Sequence, residues 1–190
     1  MREAPAPPPP YAIVVPTLGR TSLRACLDAV AAATASGHGP QRIVLVHDRP
    51  GPDGTPPALD VPPVLRPITT VVAGRARGPA AARNTGARAA GHVPWIVFLD
   101  DDVVPGPGWG EELARDLASA PHDTAAVTAR IEVPLLPGRR PTDWERNTAG
   151  LATARWITAD MAFRRVALDA AGGFDERFRR AFREDADLAL

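Results

Sequence analysis

Apolar residues in this chain fall into short continuous runs, separated by segments in which apolar side chains recur with helical spacing. Short apolar runs rich in β-branched residues are typical of buried strands, and apolar positions three and four residues apart are typical of amphipathic helices. The predicted strands span residues 11–15, 43–46, 68–73, 95–99, 124–133 and 156–163. The predicted helices span residues 22–36, 79–90, 109–118 and 164–171.

Strands that alternate with helices predict β-α-β units with right-handed crossovers, and therefore an α/β fold around a parallel sheet. Residues 49–67, with seven prolines, and residues 134–150 are predicted loops. The proline-rich residues 1–10 are predicted to form a disordered lead-in. A chain of 190 residues is long enough for one domain with its own core.

The composition is that of an ordinary globular protein, with 45% apolar and 23% charged residues. The 22 basic and 22 acidic residues give a net charge of zero, so charge does not favour nucleic acid or an anionic membrane as a partner. No apolar run approaches the ~20 residues of a membrane span. The single cysteine, Cys26, fits a reducing compartment, so we expect a cytoplasmic protein in which this residue packs in the core.

Acidic residues follow two of the predicted strands, either directly or after one intervening residue. Asp100, Asp101 and Asp102 come immediately after residues 95–99, and Asp48 comes after the second strand. The carboxyl ends of parallel strands meet at one edge of a sheet, where ligands bind in α/β folds. Three adjacent carboxylates repel one another, and either solvent in a simple turn or a cation such as Mg²⁺ or Mn²⁺ would offset that repulsion.

The spacing of these residues excludes several familiar sites. An EF-hand loop that began at Asp100 would need an oxygen ligand and then a glycine where the sequence has Val104 and Pro105. The chain has no Gly-Lys pair for a Walker A loop and no G-x-G-x-x-G dinucleotide motif.

Gly86, inside a predicted helix, costs ~1 kcal/mol relative to alanine, so either close packing or simple tolerance accounts for it.

Taken in order, five segments of the chain resemble glycosyltransferase family 2. They resemble the family's opening strand with its nucleotide-contacting turn, the second strand with the acid that contacts the base, the Ala-Arg-Asn-x-Gly signature, the Asp-x-Asp motif, and the acceptor-side block with its Glu-Asp motif. The segments are Ile13 to Thr17, Ile43 to Asp48, Gly78 to Gly86, Phe98 to Asp102, and Asp160 to Leu188.

The resemblance implies a GT-A fold, which is a three-layer αβα sandwich around a Rossmann-like, mostly parallel sheet, here short at its C-terminal side. It implies a nucleotide-binding half of about residues 11–104 and an acceptor-side part of about residues 105–190 that is truncated. The implied reaction transfers a sugar from a UDP- or GDP-sugar to an acceptor hydroxyl with inversion. The shortened sheet predicts self-association or a further C-terminal segment.

The resemblance also implies a role for each site residue. Asp102 would hold Mn²⁺ or Mg²⁺, and Asp185 would be the general base that deprotonates the acceptor hydroxyl. Asp160 stands where the family more usually has asparagine or another small polar residue. The residues implied to contact the donor are Pro16, Thr17, Arg20, Asp48, Arg83, Asp100 and Asp101.

Two other functions fit parts of the sequence. Residues 97–104 also resemble the first motif of haloacid-dehalogenase-like phosphatases, in which Asp100 would be the nucleophile and Asp102 the acid/base, with Mg²⁺. That motif normally follows the first strand of its domain, whereas three predicted strands precede it here. The remaining alternative is a degenerate domain that binds a nucleotide or a partner without catalysis.

Overall fold

The computed structural model describes residues 8–49, 51–134, 138–153, 156–180 and 187–188. The strands are β1 Tyr11–Thr17, β2 Arg42–His47, β3 Thr69–Ala73, β4 Trp95–Leu99, β5 Ala126–Thr128 and β6 Asp160–Arg164. The α-helices are α1 Ser22–Ala35, α2 Pro79–Ala89, α3 Trp109–Ser119, α4 Asp143–Ala149 and α5 Arg165–Ala170. In this part of the chain, no helix is both long and apolar enough to cross a bilayer.

The strands form one six-stranded sheet in the order β3-β2-β1-β4-β6-β5. Strands β1 to β4 pair in parallel, as predicted from their alternation with helices. Strand β6 runs antiparallel to both of its neighbours, so the sheet is mostly parallel. The chain leaves β5 and enters β6 at the same edge of the sheet. Strand β6 therefore runs in the opposite direction to β5.

Helices cover both faces of the sheet and bury alternate strand residues in two apolar clusters. Helices α1 and α3 pack on one face, where Cys26 is fully buried as predicted. Helices α2 and α5 pack on the other face, against side chains such as Val14 and Phe98. The result is the predicted three-layer αβα arrangement. Of the predicted lead-in, residues 8–10 form neither helix nor strand, and residues 1–7 lie outside the described residues.

Close packing accounts for the glycine inside α2. A Cβ added at Gly86 would lie 2.2 Å from Cγ1 of Val14 and 3.0 Å from Cγ2 of Val46. Both valine side chains are fully buried. The helix therefore approaches the sheet at a distance that only glycine permits, which brings the first turns of α2 close to the ends of β1 and β2.

We expect Gly86→Ala to lower the free energy of unfolding by about 1–3 kcal/mol, because the cost of overpacking exceeds the ~1 kcal/mol gained in helix propensity. Urea denaturation measures the effect. Gly106→Ala is the control, since a Cβ there meets nothing within 4 Å, and we expect its stability to stay within about 0.5 kcal/mol of wild type. Equal stabilities for the two variants would contradict the close approach.

The structure corrects two strands and adds one helix in the C-terminal part of the sequence analysis. Strand β5 has three residues instead of the predicted 124–133, and β6 begins at Asp160 instead of residue 156. Helix α4 lies within the predicted loop 134–150. Its start is a capping box, in which the Thr142 hydroxyl accepts the Glu145 N–H and Glu145 accepts the Thr142 N–H. This helix was not predicted, because helices were identified by an apolar stripe and residues 143–149 lack one.

Candidate functional site

The carboxyl ends of β1, β2 and β4 lie together at one edge of the sheet, here called the carboxyl edge, because these strands are parallel. Thr17 ends β1, Asp48 follows β2, and Asp100 follows β4. The connection between β5 and β6 also begins and ends at this edge, since Asp160 pairs with Leu99. The predicted convergence of acidic residues from separate strands is therefore present.

Four of the predicted site residues form one hydrogen-bonded and charged group. The Thr17 hydroxyl donates to Oδ2 of Asp101 over 2.6 Å and accepts the N–H of Gly19 over 2.9 Å. Nη1 of Arg20 lies 3.7 Å from Oδ1 of Asp101 and 3.8 Å from Oδ2 of Asp102. Thr17 and Asp101 are buried, so this hydrogen bond fixes the turn after β1 against the turn after β4.

Arg83 and Asp100 form a second pair beside the first. Nη2 of Arg83 donates to Oδ1 of Asp100 over 2.8 Å, and the Arg83 guanidinium lies 5.6 Å from the centre of the Phe174 ring. The Arg83 side chain is only 2% exposed. Burial raises the pKa of Asp100 above its ordinary value, and Arg83 opposes that rise. The helix that carries Arg83 is thereby tied to the carboxyl edge.

Asp48 is engaged by the backbone of the β3–α2 loop, residues 74–78. Its Oδ1 accepts the N–H of Arg75 over 3.0 Å, and its Oδ2 accepts the N–H of Gly78 over 2.8 Å. Its own N–H donates to the carbonyl of Thr17 over 3.0 Å. Pro16 lies within β1, opposite Val46 of β2. Asp48 therefore joins three chain segments at the carboxyl edge.

Comparison with known proteins identifies the family. The sequence profile described as glycosyl transferase family 2 matches residues 12–175, which is most of the chain. The chain belongs to glycosyl transferase family 2. Membership favours the glycosyltransferase interpretation of the aspartate run over the haloacid-dehalogenase one. A pre-mycofactocin glycosyltransferase, found in two strains of Mycobacterium tuberculosis, is 35% identical over 126 residues, covering 59% of this chain and 26% of the relative.

Solved glycosyltransferases share the fold of this family 2 chain. The mannosyltransferase PcManGT from Pyrobaculum calidifontis, in complex with GDP-Man and Mn²⁺, has a TM-score of 0.62 and 24% identity, over 97% of this chain and 53% of that chain. S. aureus TarS 1–349, in complex with UDP-GlcNAc, has a TM-score of 0.56 and 14% identity, over 87% and 48%. These similarities confirm the predicted GT-A fold. The chain spans about a quarter of its curated relative and about half of these solved chains.

In this family 2 domain, Asp102 offers a carboxylate that fits a divalent cation. Its side chain is 60% exposed at the carboxyl edge, and carboxylate oxygens are preferred ligands of Mg²⁺ and Mn²⁺. Among the described residues, no three His, Cys, Asp or Glu side chains are grouped so as to hold a metal ion. A cation at Asp102 would therefore need ligands from water or from a bound phosphate.

A buried carboxylate on β6 was absent from the predicted set of site residues. Asp160 is 5% exposed, and its Oδ2 accepts the indole N–H of Trp109 over 2.7 Å. Burial raises the pKa of Asp160 to about 6, and the hydrogen bond from Trp109 opposes the rise. The signal in the sequence is a charged residue inside the predicted strand 156–163. The sequence predicts helix α3 but does not show where it packs, so the contact between Trp109 and Asp160 becomes apparent only in the structure.

A second group outside the predicted site set connects α2 to the segment after α5. The Asn84 side chain pairs with the Phe174 backbone, donating to its carbonyl over 2.8 Å and accepting its N–H over 2.9 Å. Glu176 accepts two hydrogen bonds from Arg75, over 2.6 and 2.7 Å. Asn84 belongs to the signature that carried the family resemblance, but its partners become apparent only in the structure. Asp185, the predicted base, lies outside the described residues.

Proposed function

We propose that this domain transfers a sugar from a UDP- or GDP-sugar to an acceptor hydroxyl, with inversion at the anomeric carbon. The proposal rests on one observation above all: Thr17, Arg20, Asp101 and Asp102 form a single group at the carboxyl edge of a family 2 fold. The complexes of solved neighbours with GDP-Man and UDP-GlcNAc support a nucleotide-sugar as the donor class.

The donor contacts follow from what each side chain can supply at this edge. The turn from Pro16 to Arg20 presents backbone groups and a guanidinium that is 58% exposed, which suits a nucleotide and its phosphates. Asp101 fixes Thr17 in this turn. Arg83 and Asp100 are assigned to the ribose and diphosphate, and Asp48 to the base. The carboxylate oxygens of Asp48 already accept backbone N–H groups, and their remaining lone pairs are the ones available to a base.

Asp102 is the residue that we assign to a divalent cation, because it is an exposed carboxylate next to the residues assigned to the diphosphate. When bound there, Mn²⁺ or Mg²⁺ would act as a Lewis acid that neutralises the diphosphate leaving group. Arg20, within 4 Å of both Asp101 and Asp102, keeps these two carboxylates close together before any ligand arrives.

Asp185 is assigned as the general base from the Glu-Asp motif of the sequence. Its carboxylate would take the proton of the acceptor hydroxyl as that oxygen attacks the anomeric carbon. The bond to the nucleotide diphosphate breaks on the opposite face of the sugar in the same displacement. A single displacement of this kind inverts the anomeric carbon.

Nucleotide binding tests the proposal. We expect UDP or GDP with Mn²⁺ to raise the melting temperature of the wild-type protein, because a ligand that binds only the folded state stabilises it. We expect Asp102→Asn to weaken the Mn²⁺-dependent part of the affinity for nucleotide about tenfold. A loss of this size corresponds to one charge-assisted contact. Asp116→Asn, on the exposed side of α3, is the control and should bind as wild type does.

Donor hydrolysis then separates enzyme from binding domain. Slow release of free sugar from the nucleotide-sugar that binds best would support the transferase. Binding with no hydrolysis and no transfer to added acceptors would favour the degenerate, non-catalytic domain. If neither UDP nor GDP bound with either Mn²⁺ or Mg²⁺, both interpretations would fail.

A further inference from the structure

The β3–α2 loop is held from two directions that are far apart in sequence. On the sheet side, Asp48 accepts the backbone N–H groups of Arg75 and Gly78. From the segment after α5, the Glu176 carboxylate accepts both hydrogen bonds from Nη2 of Arg75 and lies 3.5 Å from Nη1 of Arg77. The backbone of the loop and its two arginine side chains therefore have separate carboxylate partners.

Glu176 is itself fixed in place by α2. Nδ2 of Asn84 lies 3.3 Å from Oε1 of Glu176, and the same amide group pairs with the Phe174 backbone two residues earlier. The Glu176 side chain is 23% exposed. Burial acts to raise its pKa, but the hydrogen bonds from Asn84 and Arg75 and the charges of Arg75 and Arg77 outweigh burial and lower it. The carboxylate is therefore ionised at neutral pH.

The same two segments also touch at the start of α2. Gly78 has a φ of +93°, and a Cβ there would lie 2.2 Å from the carbonyl oxygen of Arg179. The backbone of the loop thus lies directly against the segment that carries Glu176, at the point where the helix begins. Contact between backbones, together with the ion pairs and the hydrogen bonds to Asp48, therefore holds the loop on both sides.

The loop adjoins residues that the proposed function assigns to the donor. It follows the carboxyl end of β3, it contacts Asp48, and it leads into the helix that presents Arg83 to Asp100. We propose that Glu176 is a positioning residue for the nucleotide-sugar: by holding Arg75 and Arg77 it keeps the β3–α2 loop in the form that receives the nucleotide. This inference rests on the proposed function, because it assigns the loop to the donor which that function requires.

A brace that serves folding alone makes a different prediction from a positioning residue. Loss of a brace lowers the melting temperature and reduces the amount of active protein, and it leaves the affinity of the folded protein for nucleotide unchanged. Loss of a positioning residue weakens nucleotide affinity in protein that remains folded. The dissociation constant for nucleotide, measured beside the melting temperature, distinguishes the two roles.

The experiment compares Glu176→Gln with wild type, using UDP or GDP with Mn²⁺ as probe. Glutamine keeps the shape and can still accept one hydrogen bond, but it removes the charge that pairs with both arginines. We expect the dissociation constant to rise about fivefold. We also expect faster amide exchange in a peptide that covers residues 74–78. A more mobile loop would more often break the hydrogen bonds that the Arg75 and Gly78 N–H groups donate to Asp48. Glu111→Gln removes the exposed Glu111–Arg115 ion pair on α3 and should change neither.

Arg75→Gln provides an independent variant, since Arg75 is 45% exposed and its replacement leaves Glu176 in place. The proposal expects the same loss of affinity and the same faster exchange. Wild-type affinity in both variants would overturn the role of Glu176 while leaving the proposed function intact. If the wild-type protein bound neither nucleotide, the proposed function would fail and this donor role would fail with it.

Discussion

Asp185→Asn is expected to lower the rate of sugar transfer by about 10²–10⁴-fold, the contribution typical of a general base. An acceptor hydroxyl must lose its proton as it attacks, and asparagine cannot take that proton. Donor binding should be nearly unchanged, because the residues assigned to the nucleotide lie on β1, β2, α2 and the turn after β4. The measurements are the rate of transfer at saturating donor and the dissociation constant for nucleotide.

Asp187→Asn is a matched control for this variant. It makes the same chemical change two residues further along the chain, at a side chain that is exposed. We expect it to retain transfer close to the wild-type rate. Loss of transfer in Asp187→Asn with full transfer in Asp185→Asn would move the base assignment by two positions. Equal and full rates in both variants would contradict the assignment of a base to this motif.

The grouping at the carboxyl edge could be predicted because it depends on local signals and one general rule. The ends of the first, second and fourth strands are marked by apolar runs that stop at polar residues. Parallel pairing then brings these ends to one edge without further information. The contact between Thr17 and Asp101, which are 84 residues apart, follows from that rule. The strand order and the close approach at Gly86 did not follow from this rule and come from the structure.

The hydrogen-bond partners of Asp48 and Glu176 could not be predicted in this way. The sequence shows an acid after a strand, but it does not show that backbone N–H groups from the next loop would reach its oxygens. Arg75 and Glu176 are 101 residues apart and pair across the boundary between the two predicted halves of the domain. Such pairs depend on how loops lie after the sheet has formed, which hydrophobic periodicity does not encode.

Asp160→Asn is expected to stabilise the protein at neutral pH and to have no such effect in acid. Burial raises the pKa of Asp160 from 3.8 to about 6, so the folded protein holds this proton more tightly than the unfolded chain does. The stability that the protonated Asp160 carboxyl group contributes is therefore complete below about pH 4 and is lost as the pH rises through 6. A shift of this size corresponds to about 3 kcal/mol of lost stability above pH 7.

Asparagine removes the titration and retains an oxygen that can accept the indole N–H of Trp109. We expect Asp160→Asn to exceed wild type in free energy of unfolding by about 1–3 kcal/mol at pH 7.5, where the lower value allows for the cost of burying the new NH₂ group. Near pH 4 this difference should be about 2–3 kcal/mol smaller, so that little or no stabilisation remains. Urea denaturation at a series of pH values between 4 and 8 measures both quantities.

Asp123→Asn is the control, because its side chain is exposed and the same change in net charge occurs outside the core. Its difference from wild type should not grow between pH 4 and pH 7.5. If wild type and Asp160→Asn lost stability in parallel across this range, Asp160 would not be titrating in the folded state. A stabilised variant that had lost transfer would instead indicate that the ionised carboxylate is kept, at a cost in stability, for its place beside the carboxyl edge.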